Sequence, residues 1–229
     1  MACCLGSGKI HPTRITLPST VGNLHRRPAS VIASSQVVLD TVEVHAMAED
    51  HIMSQRCRPS GSLATSAAEA PHARAFTLVA GASTGGHVNE LLILLEHAQD
   101  LWPAMPHAYV TTMQISEASF AQYGKPVYLL GEADRTKPLR SLRVLFRAMS
   151  TAWKVRPDVV VTTGSMPLAL FCFWARLFGA RIVWIDSVAQ VDRMSVSGRF
   201  VRLFADVCLV QWPEVARGQR GVEYSGELF

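Results

Sequence analysis

A Rossmann-like α/β fold with a parallel sheet is what residues 76–229 predict, and three observations carry that reading. Short aliphatic runs recur along the chain, helical segments separate them, and a glycine-rich turn joins the first run to the first helix. The runs fall at 76–80, 108–112, 126–130, 159–162, 181–185 and 207–211. Unbroken Val, Ile and Leu suit strands buried on both faces, as parallel sheets covered by helices are. Between the runs, 89–97 (NELLILLEH) reads as a helix with Leu91, Leu92, Leu94 and Leu95 on its buried side. Further helices are expected at 139–155, at 167–178 with Gly179 as a C-cap, and at 198–204.

Composition narrows the class. Hydrophobic residues make up 49% of the 229 and charged residues only 17%, against about a quarter in ordinary soluble domains. The surplus apolar surface predicts a partner or a bilayer. A net charge of +4 is too mild for a dedicated nucleic-acid binder, so no nucleic-acid partner is expected. The five cysteines (Cys3, Cys4, Cys57, Cys172, Cys208) form no CxxC pair and no ligand set with histidine, so neither a metal nor a cofactor is expected. Cys172 and Cys208 sit in apolar runs, as buried thiols do in a reducing compartment. No stretch reaches the roughly 18 apolar residues of a spanning helix; the nearest, 166–175, stops at Arg176.

Residues 1–75 differ from the rest, with Ser, Ala, Thr, Pro, Arg and His prominent and only short apolar runs. They carry no secretory signal pattern, and 58–74 reads as a flexible linker. The expected organisation is a low-complexity extension over 1–75 followed by a single domain over 76–229.

The densest chemical signal is GASTGGH at 81–87. Glycines at a strand-to-helix turn let backbone N–H groups approach an anion, and the helix start adds favourable partial charge. Ser83, Thr84, Gly85 and Gly86 are therefore candidate phosphate ligands. His87 is a candidate general base, its alternative being a helix-start histidine that only supports the loop. Residues 81–85 also spell GxSxG, the nucleophile elbow of α/β-hydrolases. That reading fails because no histidine follows His107. His97 and His107 have no chemical setting.

Two further groups stand out. From Arg135 to Arg156 there are seven basic residues and no acidic one. Leu142, Leu145, Phe146, Met149, Ala152 and Trp153 are expected to share one helical face, with Arg140, Arg143, Arg147 and Lys154 elsewhere around the wheel. Such a helix suits an anionic membrane surface, with Arg140, Arg143, Arg147 and Trp153 as contacts; the alternative is a sheet-packing helix with a solvated basic side. The other group follows later strands: Thr163 and Gly164, then Asp186 and Ser187, then Arg193, Ser197 and Gly198. Loops at strand carboxyl ends share one rim of a parallel sheet, so these residues are expected near the glycine loop.

Five motifs occur in a familiar order: ASTGGH(x2)ELL at 82–92, RPDVVVTTG at 156–164, WIDS at 184–187, VDRMSVSGR at 191–199 and ADVCLVQW at 205–212. Together they resemble the acceptor-side subunit family of the split N-acetylglucosaminyltransferase of lipid-linked oligosaccharide synthesis, with bacterial exopolysaccharide and capsule relatives. The resemblance implies half of a GT-B fold, equivalent to the N-terminal domain of the glycosyltransferase that completes the lipid-linked peptidoglycan precursor. It also implies an inverting transfer from a UDP-sugar to a polyprenyl-diphosphate-linked sugar acceptor. A small separate subunit would bind the donor, and the complex would lie on the cytoplasmic face of the membrane. Gly85, Gly86 and His87 map onto the acceptor-phosphate loop, and Glu90, Asp186, Ser187, Arg193, Ser197 and Gly198 match other motif positions. The family's usual glutamate is Asp186 here, and its eukaryotic members' N-terminal membrane helix has no counterpart in 1–75. The alternative role is a noncatalytic membrane adaptor that activates a partner glycosyltransferase.

Overall fold

The computed structural model describes residues 76–97, 105–133 and 138–226. The expected extension over 1–75, with Cys3, Cys4 and Cys57, and the basic residues Arg135 and Lys137 lie outside the described residues. Seven strands are present: β1 (Leu78–Ala82), β2 (Ala108–Thr111), β3 (Val127–Leu129), β4 (Val159–Thr163), β5 (Arg181–Ile185), β6 (Val207–Val210) and β7 (Glu223–Tyr224). Helices α1 (Gly86–His97), α2 (Gln114–Ala121), α3 (Pro138–Val155), α4 (Met166–Leu177), α5 (Val196–Val201) and α6 (Pro213–Ala216) alternate with them. All pairings are parallel, in the order β3-β2-β1-β4-β5-β6-β7. The chain runs outward from β1 to β3, then returns to lay β4 on the other side of β1. That reversal opens a crevice at the carboxyl ends of β1 and β4, where open α/β sheets bind ligands.

Alternation along the central strands divides the core. Leu78, Ala80, Val159, Val161, Val183 and Ile185 face α1 and α2, joined by Val88, Leu91, Leu94, Leu95 and Phe120. Val79, Val110, Val160, Ile182 and Trp184 face the other layer, joined by Ala148 and Ala152 of α3, Leu168, Phe171 and Cys172 of α4, and Val201 of α5. Each fully buried leucine here contributes about 1.5–3 kcal/mol relative to exposure.

The sheet is as expected, with three differences. β1 begins and ends two residues later than the 76–80 run, so Gly81 belongs to the strand. A Cβ there would lie 3.1 Å from Leu168 Cδ2, so the glycine admits α4 close to the sheet. Helices α2 and α6 and strand β7 were not expected. The buried face of α3 also differs. Val144, Ala148 and Ala152 pack inward, while Leu142, Phe146 and Trp153, expected to share one face with Ala152, are exposed. Small residues let α3 lie close against α4, which leaves no room there for the large side chains.

Candidate functional site

The glycine turn sits at the crevice. Ser83 and Thr84 leave β1, Gly85 adopts a left-handed φ of 57°, and α1 starts at Gly86. The Gly85 carbonyl accepts from the amides of Val88 (3.1 Å) and Asn89 (3.3 Å), closing the first turn. The turn is clamped from both sides. Thr111 Oγ1 at the end of β2 donates to the Ser83 carbonyl at 2.8 Å. Thr163 Oγ1 at the end of β4 donates to the His87 carbonyl at 2.6 Å. Thr163 thus fixes the loop rather than pointing to a ligand.

His87 is the second residue of α1, and its neighbour Glu90 lies one turn on. His87 Nδ1 lies 3.7 Å from Glu90 Oε2, the imidazole side chain 27% exposed and the carboxylate 1%. Both atoms are buried and neither has a hydrogen-bond partner. The other carboxylate oxygen of Glu90 accepts from the Val188 amide at 3.1 Å and from Ser187 Oγ at 3.4 Å. A buried carboxylate held by the loop after β5 therefore faces the imidazole, the arrangement that orients a histidine base. Glu90 was expected only as a motif position; the i, i+3 spacing from His87 on one helix face was the signal for its role. Ser187 is drawn into this support.

Asp186 has a different setting. It is buried, accepting from the Ser195 amide at 2.7 Å and from Ser195 Oγ at 2.6 Å. Ser195 in turn caps α5, its Oγ accepting from the Gly198 amide at 2.8 Å and lying 3.2 Å from Ser197 Oγ. A Cβ on Gly198 would sit 2.9 Å from Asp186 Oδ1, which is why glycine stands there. Asp186, Ser197 and Gly198 thus form one cluster that holds the start of α5. Gly164 is also a packing position, since a Cβ would overlap the Trp184 ring. Arg193 is exposed and forms no hydrogen bond or ion pair among the described residues.

Two adjoining cavities open at the same end of the sheet. One, of about 250 Å³, is lined by Ser83, Thr84, Ser165 and Pro167 among others. The second, of about 480 Å³, lies between α3 and the ends of β2 and β3, and Arg140, Arg143 and Arg147 line it. Thr112 and Glu132 border both. Trp153 is on another side of α3, 58% exposed, with the Arg156 guanidinium 3.8 Å from its ring centre. Among the described residues no group of His, Cys, Asp and Glu could hold a metal ion, and no helix is long and apolar enough to cross a membrane.

The fold is a Rossmann-like parallel α/β domain of the kind found in one half of a GT-B enzyme. MurG of Acinetobacter baumannii superposes with a TM-score of 0.53 at 19% identity, covering 66% of this chain and 46% of that one, which shows the shared fold. Residues 130–228 match the family described as "Oligosaccharide biosynthesis protein Alg14 like". The UDP-N-acetylglucosamine transferase subunit alg14 of Schizosaccharomyces pombe is 29% identical over 166 residues, 62% of this chain and 79% of the relative. That of Yarrowia lipolytica is 34% identical over 87 residues, 35% of this chain, which spans 40% of the relative's length.

Proposed function

We propose that this chain is the acceptor-side subunit of a two-part glycosyltransferase, passing a sugar from a UDP-sugar to a polyprenyl-diphosphate-linked acceptor. The observation that carries the proposal is the His87–Glu90 pair at the switch point of a GT-B half, one turn from a glycine loop suited to an anion. Glu90 positions Nδ1 as the protonated nitrogen and leaves Nε2 as the base. The acceptor hydroxyl gives its proton to Nε2, and its oxygen forms the new bond to the anomeric carbon. The bond from that carbon to the UDP oxygen breaks, its electron pair leaving with UDP, and the configuration inverts. The donor is held by a separate small subunit, in keeping with the names of the relatives. The exposed residues Leu142, Phe146 and Trp153 on a basic helix support peripheral attachment to an anionic membrane.

The test is co-expression with a donor-binding subunit and transfer from a labelled UDP-sugar to lipid extracts. His87→Ala is expected to lower turnover by about 10²–10⁴-fold with the complex intact. Undiminished turnover would transfer the chemistry to the partner and leave this chain the adaptor.

A further inference from the structure

We infer that the groove between α3 and the ends of β2 and β3 is the diphosphate subsite of the acceptor, with Arg140, Arg143 and Arg147 as its ligands. The inference rests on the acceptor reading above and reassigns residues whose charge pattern alone suggested lipid headgroups. The three arginines are spaced i, i+3 and i+7 on α3 and line one cavity of about 480 Å³, within the usual range of small-ligand sites. None forms an ion pair among the described residues. Glu132 is the one acidic side chain on the lining, so the groove is net positive. Guanidinium groups bind phosphoryl oxygens in bidentate fashion, and a row of them matches a diphosphate better than a point charge does. Gly131, with a φ of 89°, forms part of the groove wall beside Arg147.

The surroundings fit the rest of such a ligand. On the α3 wheel the arginine row lies between the buried face and the exposed stripe of Leu139, Leu142 and Phe146. A prenyl chain leaving the diphosphate would pass along that stripe into the bilayer. In the other direction, Thr112 and Glu132 border both cavities, so the ligand would continue toward the glycine loop at Ser83 and Thr84.

The full-length protein is titrated calorimetrically with inorganic pyrophosphate, and separately tested for sedimentation with phosphatidylglycerol vesicles. Three variants are compared, Arg143→Gln with Arg147→Gln, Arg143→Lys alone, and Phe146→Ser with Trp153→Ser, each checked for its fold by circular dichroism. The arginine variant is expected to bind pyrophosphate at least about tenfold more weakly, and Arg143→Lys to fall between it and the unmodified protein. The aromatic variant is expected to lose vesicle binding while its pyrophosphate affinity stays unchanged. Pyrophosphate binding equal in the arginine variant and the unmodified protein, or undetectable in the unmodified protein, overturns the inference. So does loss of vesicle binding alone in the arginine variant, which would make these residues headgroup contacts. Neither partner nor donor is present in these measurements, so the transfer reaction keeps its separate test.

Discussion

Glu90→Gln changes one atom of the site and inverts its logic. Glu90 Oε1 accepts from the Val188 amide and Ser187 Oγ at 3.1 and 3.4 Å, and a glutamine carbonyl oxygen serves both equally well. The change falls on Oε2, 3.7 Å from His87 Nδ1, where an acceptor becomes an NH2 donor. A donor facing Nδ1 favours the tautomer with its proton on Nε2, and that nitrogen can no longer take a proton from the acceptor hydroxyl. The expected loss in kcat is that of a general base, about 10²–10⁴-fold, or about 2.7–5.5 kcal/mol in the barrier. Shape and the bonds to the β5 loop are kept, so the melting temperature is expected to stay within about 2 °C. That is the shift of less than about 1 kcal/mol in a domain of this size. The assay is initial-rate transfer by the complex with its donor subunit, run alongside thermal unfolding. Glu90→Gln turning over within about threefold of the unmodified complex, a difference too small for a lost base, refutes the pairing of these two residues in catalysis.

Other outcomes follow from the packing. Gly164→Ala pushes a methyl into the fully buried Trp184 ring and is expected to cost about 3 kcal/mol, lowering the melting temperature by about 6–12 °C in calorimetry. Gly198→Ala displaces the Asp186 carboxylate from Ser195, and is expected to destabilise by about 1–3 kcal/mol in urea unfolding. Burial pushes the thiols of Cys172 and Cys208 up, the latter from 9.0 to about 12, with Asp186 adding to the effect at Cys208. Both are therefore expected to resist a thiol reagent in the folded protein and to react on denaturation. Because the unfolded thiol ionises first, the contribution of Cys208 to stability is full below about pH 9 and is lost as the pH rises toward about 12. Urea unfolding at pH 7 and pH 10 measures it, and equal stability of the unmodified protein and Cys208→Ser in their pH slopes contradicts the assignment.

The sheet was legible because its central strands are buried on both faces: 159–162 and 182–185 are unbroken β-branched and aromatic runs with nothing to confuse their period. Helix α2 was not, since QISEASFA buries only Ser116 and Phe120. The short α6 and the exposed, two-residue β7 leave even less pattern. The inward side of α3 was not legible, because Ala148 and Ala152 face inward at a close helix contact and the large apolar residues are outside. At the site, residue types and loop positions revealed the glycine turn and His87. They could not separate ligands from supports. Thr163, Ser187, Asp186 and Gly198 share the rim as expected, but their hydrogen bonds and contacts go to His87, Glu90, Ser195 and Asp186, and only side-chain directions disclose that. The arginines read as headgroup contacts from charge alone, and the groove they line is visible only in the fold, because a linear pattern does not reveal a groove beside the helix.

The central claim is that this chain carries the acceptor and the base for a sugar transfer completed by a donor-binding partner. Its most direct measurement is transfer of labelled N-acetylglucosamine from its UDP form to a polyprenyl-diphosphate-linked sugar by the purified two-subunit complex. The measurement is repeated with each subunit omitted and with His87→Ala. The account predicts labelled lipid product from the complex alone, reduced by about 10²–10⁴-fold in the His87→Ala complex. Product formed by the donor-binding subunit without this chain, or at an undiminished rate with His87→Ala, would contradict it.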